Sequence, residues 1–191
     1  MIHFKQPPEP PDFDQRCRKP GNQWLASHPA ANRPKDYWTP FKKPLADGFA
    51  DLCGYSVMYT PNGTVDHYLS CKNYPDLAYE WSNYRFCAEW MNKSKQNEDD
   101  AVLDPFEVQD GWFEILLPSL QMVVTDKVPA HLRQKAQHTL IRLHLRDDER
   151  VIRQRREWFR MYQDGELTLE GLSKKAPLIA AAVKKQQRGE A

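Results

Sequence analysis

The sequence predicts an α+β fold, and three observations carry that prediction. An Asn-Gly turn at residues 60–63 sits between two β-prone segments, residues 55–59 and 64–69. Residues 112–124 are rich in apolar and β-branched side chains and are interrupted by Pro118, which reads as two short strands. From Pro129 onward the apolar residues recur at helical spacing, which gives the chain a helical C-terminal half. The 191 residues match one domain with a helical appendage. The organisation read from composition is an arm at 1–23, a core with flanking segments at 24–126, and a helical region at 127–191.

Hydrophobic residues make up 40% of the chain and aromatic residues 12%, enough for a core because each aromatic ring buries a large area. Fifteen prolines against eight glycines indicate long, stiff connections. A net charge of +1 excludes a strong overall bias toward polyanions, so any basic surface must be local. The four cysteines, Cys17, Cys53, Cys71 and Cys87, form no C-x-x-C pair, and the opening residues lack the apolar stretch of a secretory signal. No apolar run approaches a membrane span. A cytoplasmic protein with reduced, mostly buried thiols and no membrane partner is expected.

In chain order, the Pro-rich and charged residues 1–23 predict an extended, flexible arm. Pro44 fits the first turn of a helix that places Leu45, Phe49 and Leu52 on one face and leads to Cys53. The hairpin around Asn62-Gly63 follows, with Asp66 and His67 on its second strand. Ser82 is a candidate N-cap for a helix carrying Asn83, Arg85, Phe86, Trp90 and Asn92. Residues 93–104 are polar and read as a loop, and Asp104 and Asp110 read as turn residues before metal ligands. Two longer helices then follow, one with Leu132, Ala136, Leu140 and Leu143 on one face, the other with an acidic start and Gly165 at its end. Short helices near residues 167–173 and 177–185 close the chain. Arg150, Arg153, Arg155, Arg156 and Arg160, with Trp158 and Tyr162, make the second long helix the best candidate surface for nucleic acid, against the plainer reading of a solvated face.

The chemistry-bearing residues cluster between Cys53 and Lys95: Asp66-His67, Asn83 within WSNYR, and Asn92-x-x-Lys95. Neighbours on a strand point to opposite faces, so a bulge or a strand end must re-aim Asp66 or His67 if both serve one ion. His67 titrates near neutrality and can take a proton from water. Asp66 and the amide oxygen of Asn92 are hard oxygen donors of the kind Mg²⁺ accepts. Lys95, one turn after Asn92, can neutralise a phosphate, and Lys72 and Arg85 are further candidate phosphate contacts.

Strand, strand and helix with these residues resemble the HNH (His-Me finger) endonucleases. GTVDHYL, LAYEWSNYR and MNKSK are similar to a bacterial HNH family that includes anti-phage effectors such as the Septu nuclease subunit. About a quarter of the chain carries this resemblance strongly. It implies a ββα-metal core around residues 45–96, with His67 as the general base, Asn83 orienting it, and Asp66 and Asn92 holding Mg²⁺ or Mn²⁺; the nucleic-acid contacts expected of Arg153 and Arg156 rest on the basic helix alone. It implies an endonuclease acting on DNA, with RNA as the weaker reading, in bacterial defence, together with a larger partner such as an ATPase. The alternative is a catalytically inactive nucleic-acid-binding or assembly subunit that has kept the fold.

One departure from the family pattern is informative. Many HNH proteins clamp the hairpin to the helix with two C-x-x-C knuckles and a Zn²⁺. Here Cys53 is followed by Gly54, Tyr55 and Ser56, and Ala88 and Met91 stand at the second knuckle, with Cys87 one residue out of register. No structural zinc is expected; Tyr55, Met58, Phe86, Trp90 and Met91 are expected to pack in its place.

Overall fold

The computed structural model describes residues 1–189. Its elements, in order, are α1 (Lys19–Ser27), α2 (Lys42–Gly48), β1 (Thr64–His67), β2 (Tyr84–Cys87), α3 (Glu89–Lys95), β3 (Phe113–Leu116), β4 (Gln121–Val124), α4 (Ala130–Arg142), α5 (Glu149–Gln163), α6 (Leu169–Lys175) and α7 (Pro177–Gln187). This is a mixed α+β fold built on two short antiparallel hairpins, β1–β2 and β3–β4, and several helices. No helix among the described residues is long and apolar enough to cross a membrane.

The β1–β2 ladder divides the core. Its register pairs Val65 with Phe86 and His67 with Tyr84, so these four side chains share one face, while Asp66 and Arg85 share the other. On the first face lie Phe13, Phe41, Leu45, Phe49, Tyr79 and Trp81. On the second, Tyr55, Met58, Cys87 and Met91 join the apolar residues of the helical half and of β3–β4. The alternation of two strands only four residues long thus sends His67 and Asp66 into different surroundings.

The hairpin differs from the sequence expectation. Residues 55–59 do not form a strand: Val57 takes a positive φ of 57°, Cys53 accepts from the Val57 amide, and only a single bridge, Leu52 to Tyr59, is left. Tyr55, Val57 and Met58 are apolar because they fill the core from a tight turn, and this is why the segment mimics a buried strand. The true partner of β1 is Tyr84–Cys87, expected to be helical. Ser82 caps no helix; it lies in a 3₁₀ turn (Trp81–Asn83), after which Tyr84 and Phe86, both β-favouring residues, extend. Asn83 therefore stands at the entrance to a strand, and Asn92 on the short α3 that follows.

Residues 1–23, expected to form a flexible arm, are packed. Phe13 is fully buried and makes edge contacts with Phe41, Trp81 and Tyr84 at 5.0, 5.3 and 5.8 Å. Trp81 Nε1 donates to the Pro7 carbonyl at 2.8 Å, and Phe4 stacks on Phe49 with centroids 4.7 Å apart. Apolar anchors spaced among the prolines offset the cost of ordering a segment whose average composition reads as disordered.

The helical half follows the sequence closely. Ala136, Leu140 and Leu143 are buried, Asp148 caps α5 by accepting from the Arg150 amide, and Thr168 caps α6 from the Gly171 amide. Pro118 falls in the turn between β3 and β4.

Candidate functional site

His67 closes β1 with its ring held between two aromatic rings, edge to face: Trp38 at 4.6 Å and 81°, Tyr84 at 4.9 Å and 78°. Its Nε2 lies 2.8 Å from the carbonyl oxygen of Ala78, which also accepts from the Tyr84 hydroxyl at 2.9 Å. A carbonyl can only accept, so Nε2 carries the proton and the lone pair of the neutral ring is on Nδ1. Nδ1 makes no hydrogen bond among the described residues. Burial holds the imidazole below its ordinary value of 6.5, and the charges of Lys95 and Arg33 push the same way, against the Ala78 carbonyl and Asp66. At neutral pH the ring is therefore an uncharged base with one defined accepting nitrogen.

Two side chains fix the backbone that presents this ring. Asn83 Oδ1 accepts from the Leu69 amide at 2.8 Å, and Nδ2 donates to the carbonyls of Leu69 and Leu77 at 2.9 and 3.1 Å. Asn83 thus pins the loop just after His67 to the turn that carries Ala78; it does not touch the imidazole. Lys95 Nζ donates to the carbonyls of His67 and Tyr68, each at 2.9 Å, and to Asp66 Oδ1 at 3.2 Å.

Asp66 points away from the aromatic face, as the alternation of β1 requires. Its Oδ2 accepts from the Tyr55 hydroxyl at 2.6 Å, its Oδ1 from Lys95, and the residue is 1% exposed. Asn92 is half-buried; its Nδ2 donates to the Val65 carbonyl at 3.2 Å, and its Oδ1 accepts no hydrogen bond among the described residues. Asp66, His67 and Asn92 all contribute to the wall of one open cleft of about 390 Å³. The donors fit a hard divalent ion sparsely. Asn92 offers a free amide oxygen, and Asp66 retains the lone pairs that Tyr55 and Lys95 leave unused. Among the described residues no group of three or more His, Cys, Asp or Glu is placed to hold a metal.

The expected phosphate contacts divide into two sets. Lys72 is exposed and lines the cleft. Arg85 and Lys95 must be corrected: they are 4% and 0% exposed and present no charge to a ligand. Arg85 forms a two-pronged pair with Asp104, at 2.6 and 2.5 Å, with its guanidinium 3.7 Å from the Phe106 ring centroid. Asp104, read from sequence as a turn residue, also accepts from the Phe106 amide. Both cations were read as phosphate contacts because a sequence does not show that a long basic side chain points inward.

On α5, Arg155 is likewise buried and donates to the carbonyls of Leu120, Leu145 and Arg146. Arg150 is paired with Asp148, and Arg160 with Glu157, Asp164 and Glu166. Arg153 and Arg156 are exposed without ion pairs among the described residues, but neither lines the cleft. Besides Lys72, the cations that do are Arg33 and Lys42, neither of which was expected there. The signal was present in RPKDYWTPFKK, where basic residues alternate with aromatic ones.

Where the HNH pattern would place the knuckles, Cys53 Sγ accepts from the amides of Ser56 (3.5 Å) and Ala88 (3.4 Å) and lies 3.7 Å from Met91 Sδ. Tyr55, Met58 and Met91 pack there, with Trp90 at the edge. Phe86, expected among them, lies on the opposite face of β2, with Phe49 in the other cluster. Comparison of the chain with protein-family models and with curated proteins yields no match to either.

Proposed function

We propose that the chain is a metal-dependent phosphodiester hydrolase of the HNH type, acting on nucleic acid, in which β1, β2 and α3 form the ββα-metal core. The observation that carries this reading is the set state of His67: Nε2 held by the Ala78 carbonyl, Nδ1 unpaired, and the ring lowered in basicity at the wall of a cleft shared with Asn92 and Asp66. A general base is most effective when neutral and oriented at working pH.

In this scheme His67 Nδ1 takes a proton from water as the water oxygen bonds to phosphorus and the phosphorus–oxygen bond to the leaving sugar oxygen breaks. Asn92 Oδ1 and Asp66 would hold Mg²⁺ or Mn²⁺, which when bound supplies a Lewis acid for the developing negative charge. Asn83 and Lys95 keep the His67 backbone in place, and Lys72 meets the phosphates. Action on DNA in bacterial defence, alongside a larger partner such as an ATPase, follows from the sequence resemblance alone and is part of the same proposal.

A second reading rests on Asp66. Because both its oxygens are engaged by Tyr55 and Lys95, the pair neutralises the carboxylate without a metal, as in a binding subunit that has lost catalysis. Incubating supercoiled plasmid and, separately, a single-stranded oligonucleotide with the protein and Mg²⁺ or Mn²⁺, beside His67→Ala, separates the two. The hydrolase reading expects metal-dependent nicking or linearisation that the variant lacks; binding without cleavage in either protein supports the second reading.

A further inference from the structure

The cleft at His67 does not end there. A second, larger cleft of about 900 Å³ shares Asn32, Pro34, Cys71 and Lys72 with it, so the two form one continuous groove. The groove runs from Asn92 and Gln96 on the α3 side, past His67, to His28 just beyond the end of α1. We propose that this groove holds a single unpaired polynucleotide strand, threaded past His67, rather than a duplex; the inference rests on the hydrolase reading for its chemistry but not for its binding.

Three features of the groove select that occupant. Arg33, Lys42 and Lys72 are exposed along it and make no ion pair among the described residues. This contrasts with Arg18, Arg150 and Arg160, which carboxylates neutralise. Of the carboxylates on the lining, Asp36 is turned onto the Trp38 and Thr39 amides and the Thr39 hydroxyl, and Asp66 onto Tyr55 and Lys95. Asp36 keeps its charge in these hydrogen bonds and Asp76 has no partner among the described residues, so three unpaired cations face two carboxylates and the groove retains a small positive excess, which favours a polyanion.

At the far end, the exposed His28 ring is stacked on Trp24 with centroids 4.5 Å apart and planes 10° from parallel. Such a backed ring offers a flat face to a base. The shape is concave, and His67 is recessed beside Trp38. A duplex is read by convex helices or ribbons that enter its own grooves. A flexible strand with free base faces can instead follow a charged channel and carry a phosphate down to a recessed side chain.

The test is fluorescence anisotropy with the full chain in EDTA, so that no cleavage occurs. The probes are a labelled DNA oligonucleotide, the same strand annealed to its complement, and an RNA of the same sequence. A single strand, DNA or RNA, is expected to bind at least about ten-fold more tightly than the duplex, as base faces become available for stacking. The Arg33→Ala/Lys72→Ala variant should weaken binding and flatten the dependence of log affinity on log salt by about 1.4, two phosphate contacts at roughly 0.7 each. His28→Ala should weaken it by about five-fold or more with the salt dependence unchanged. Lys174→Ala, outside the groove, should change neither.

Duplex bound as tightly as single strand, or a salt dependence unaffected by the double variant, overturns the threading proposal. So does absence of binding to all three probes. If the single strand binds as stated but no metal brings about His67-dependent cleavage, the groove assignment stands and the hydrolase reading falls. If cleavage occurs with no preference for single strands, the reverse holds.

Discussion

Asp66 and Lys95 form an ion pair with nitrogen and oxygen 3.2 Å apart, and their side chains are 2% and 0% exposed. The ammonium also satisfies the carbonyls of His67 and Tyr68, so the pair joins the end of β1 to the last turn of α3. Lys95 is therefore a positioning residue: it sets where the imidazole backbone sits and never meets the solvent.

Removing one partner of a buried pair leaves the other charged and unpaired, which costs about 3–5 kcal/mol. Lys95→Met is expected to lower stability by that amount in urea unfolding. Adding Asp66→Asn to Lys95→Met should cost less than the two single changes summed, because the stranded carboxylate is gone. A loss below about 0.5 kcal/mol, the range of ordinary surface substitutions, would show that the ammonium is in water instead.

Asn83 ties two backbone segments together with three hydrogen bonds, and it is 5% exposed. Asn83→Ala leaves the Leu69 amide and two carbonyls without these partners, at about 1–3 kcal/mol for each buried group that water cannot reach. Amide hydrogen exchange is the discriminating measurement. The Leu69 amide should lose protection in the variant while the β3–β4 ladder keeps its own. Equal loss everywhere would reduce Asn83 to a general stability residue.

These two side chains show what the sequence made legible. The resemblance of GTVDHYL, LAYEWSNYR and MNKSK to one family pattern picked out Asp66, His67 and Asn92, which line the cleft, and Asn83, which does not. The helical half was legible because apolar periodicity and the acidic start and Gly165 end of α5 act locally. The partner of β1 was not, since tertiary packing decides whether residues 55–59 or 84–87 extend. Nor was the inward course of Arg85, Lys95 and Arg155, whose partners are backbone carbonyls or a carboxylate remote in sequence. Pro-rich composition concealed the anchoring of residues 1–23, where a few aromatic side chains outweigh the average.

His67 is held below 6.5 in the fold by burial. The unfolded chain binds a proton there near the ordinary value, so below about 6.5 it takes up more protons than the native state. The contribution of His67 to stability is thus complete above about 6.5 and is lost as pH falls through the depressed folded value. Urea midpoints measured from about pH 7.5 to about 5 should fall for the wild type and fall less for His67→Gln, which cannot titrate. Parallel curves for the two proteins would remove the depressed imidazole from the account.

The most direct test of the central claim is single-turnover cleavage of a labelled oligonucleotide in Mn²⁺ by His67→Ala, with and without added imidazole. Loss of a positioned general base is expected to slow the reaction by about 10²–10⁴-fold, and free imidazole should restore part of the rate in proportion to its neutral form. Cleavage by His67→Ala at the wild-type rate, indifferent to imidazole, would contradict the assignment of His67 as general base and with it the HNH-type mechanism.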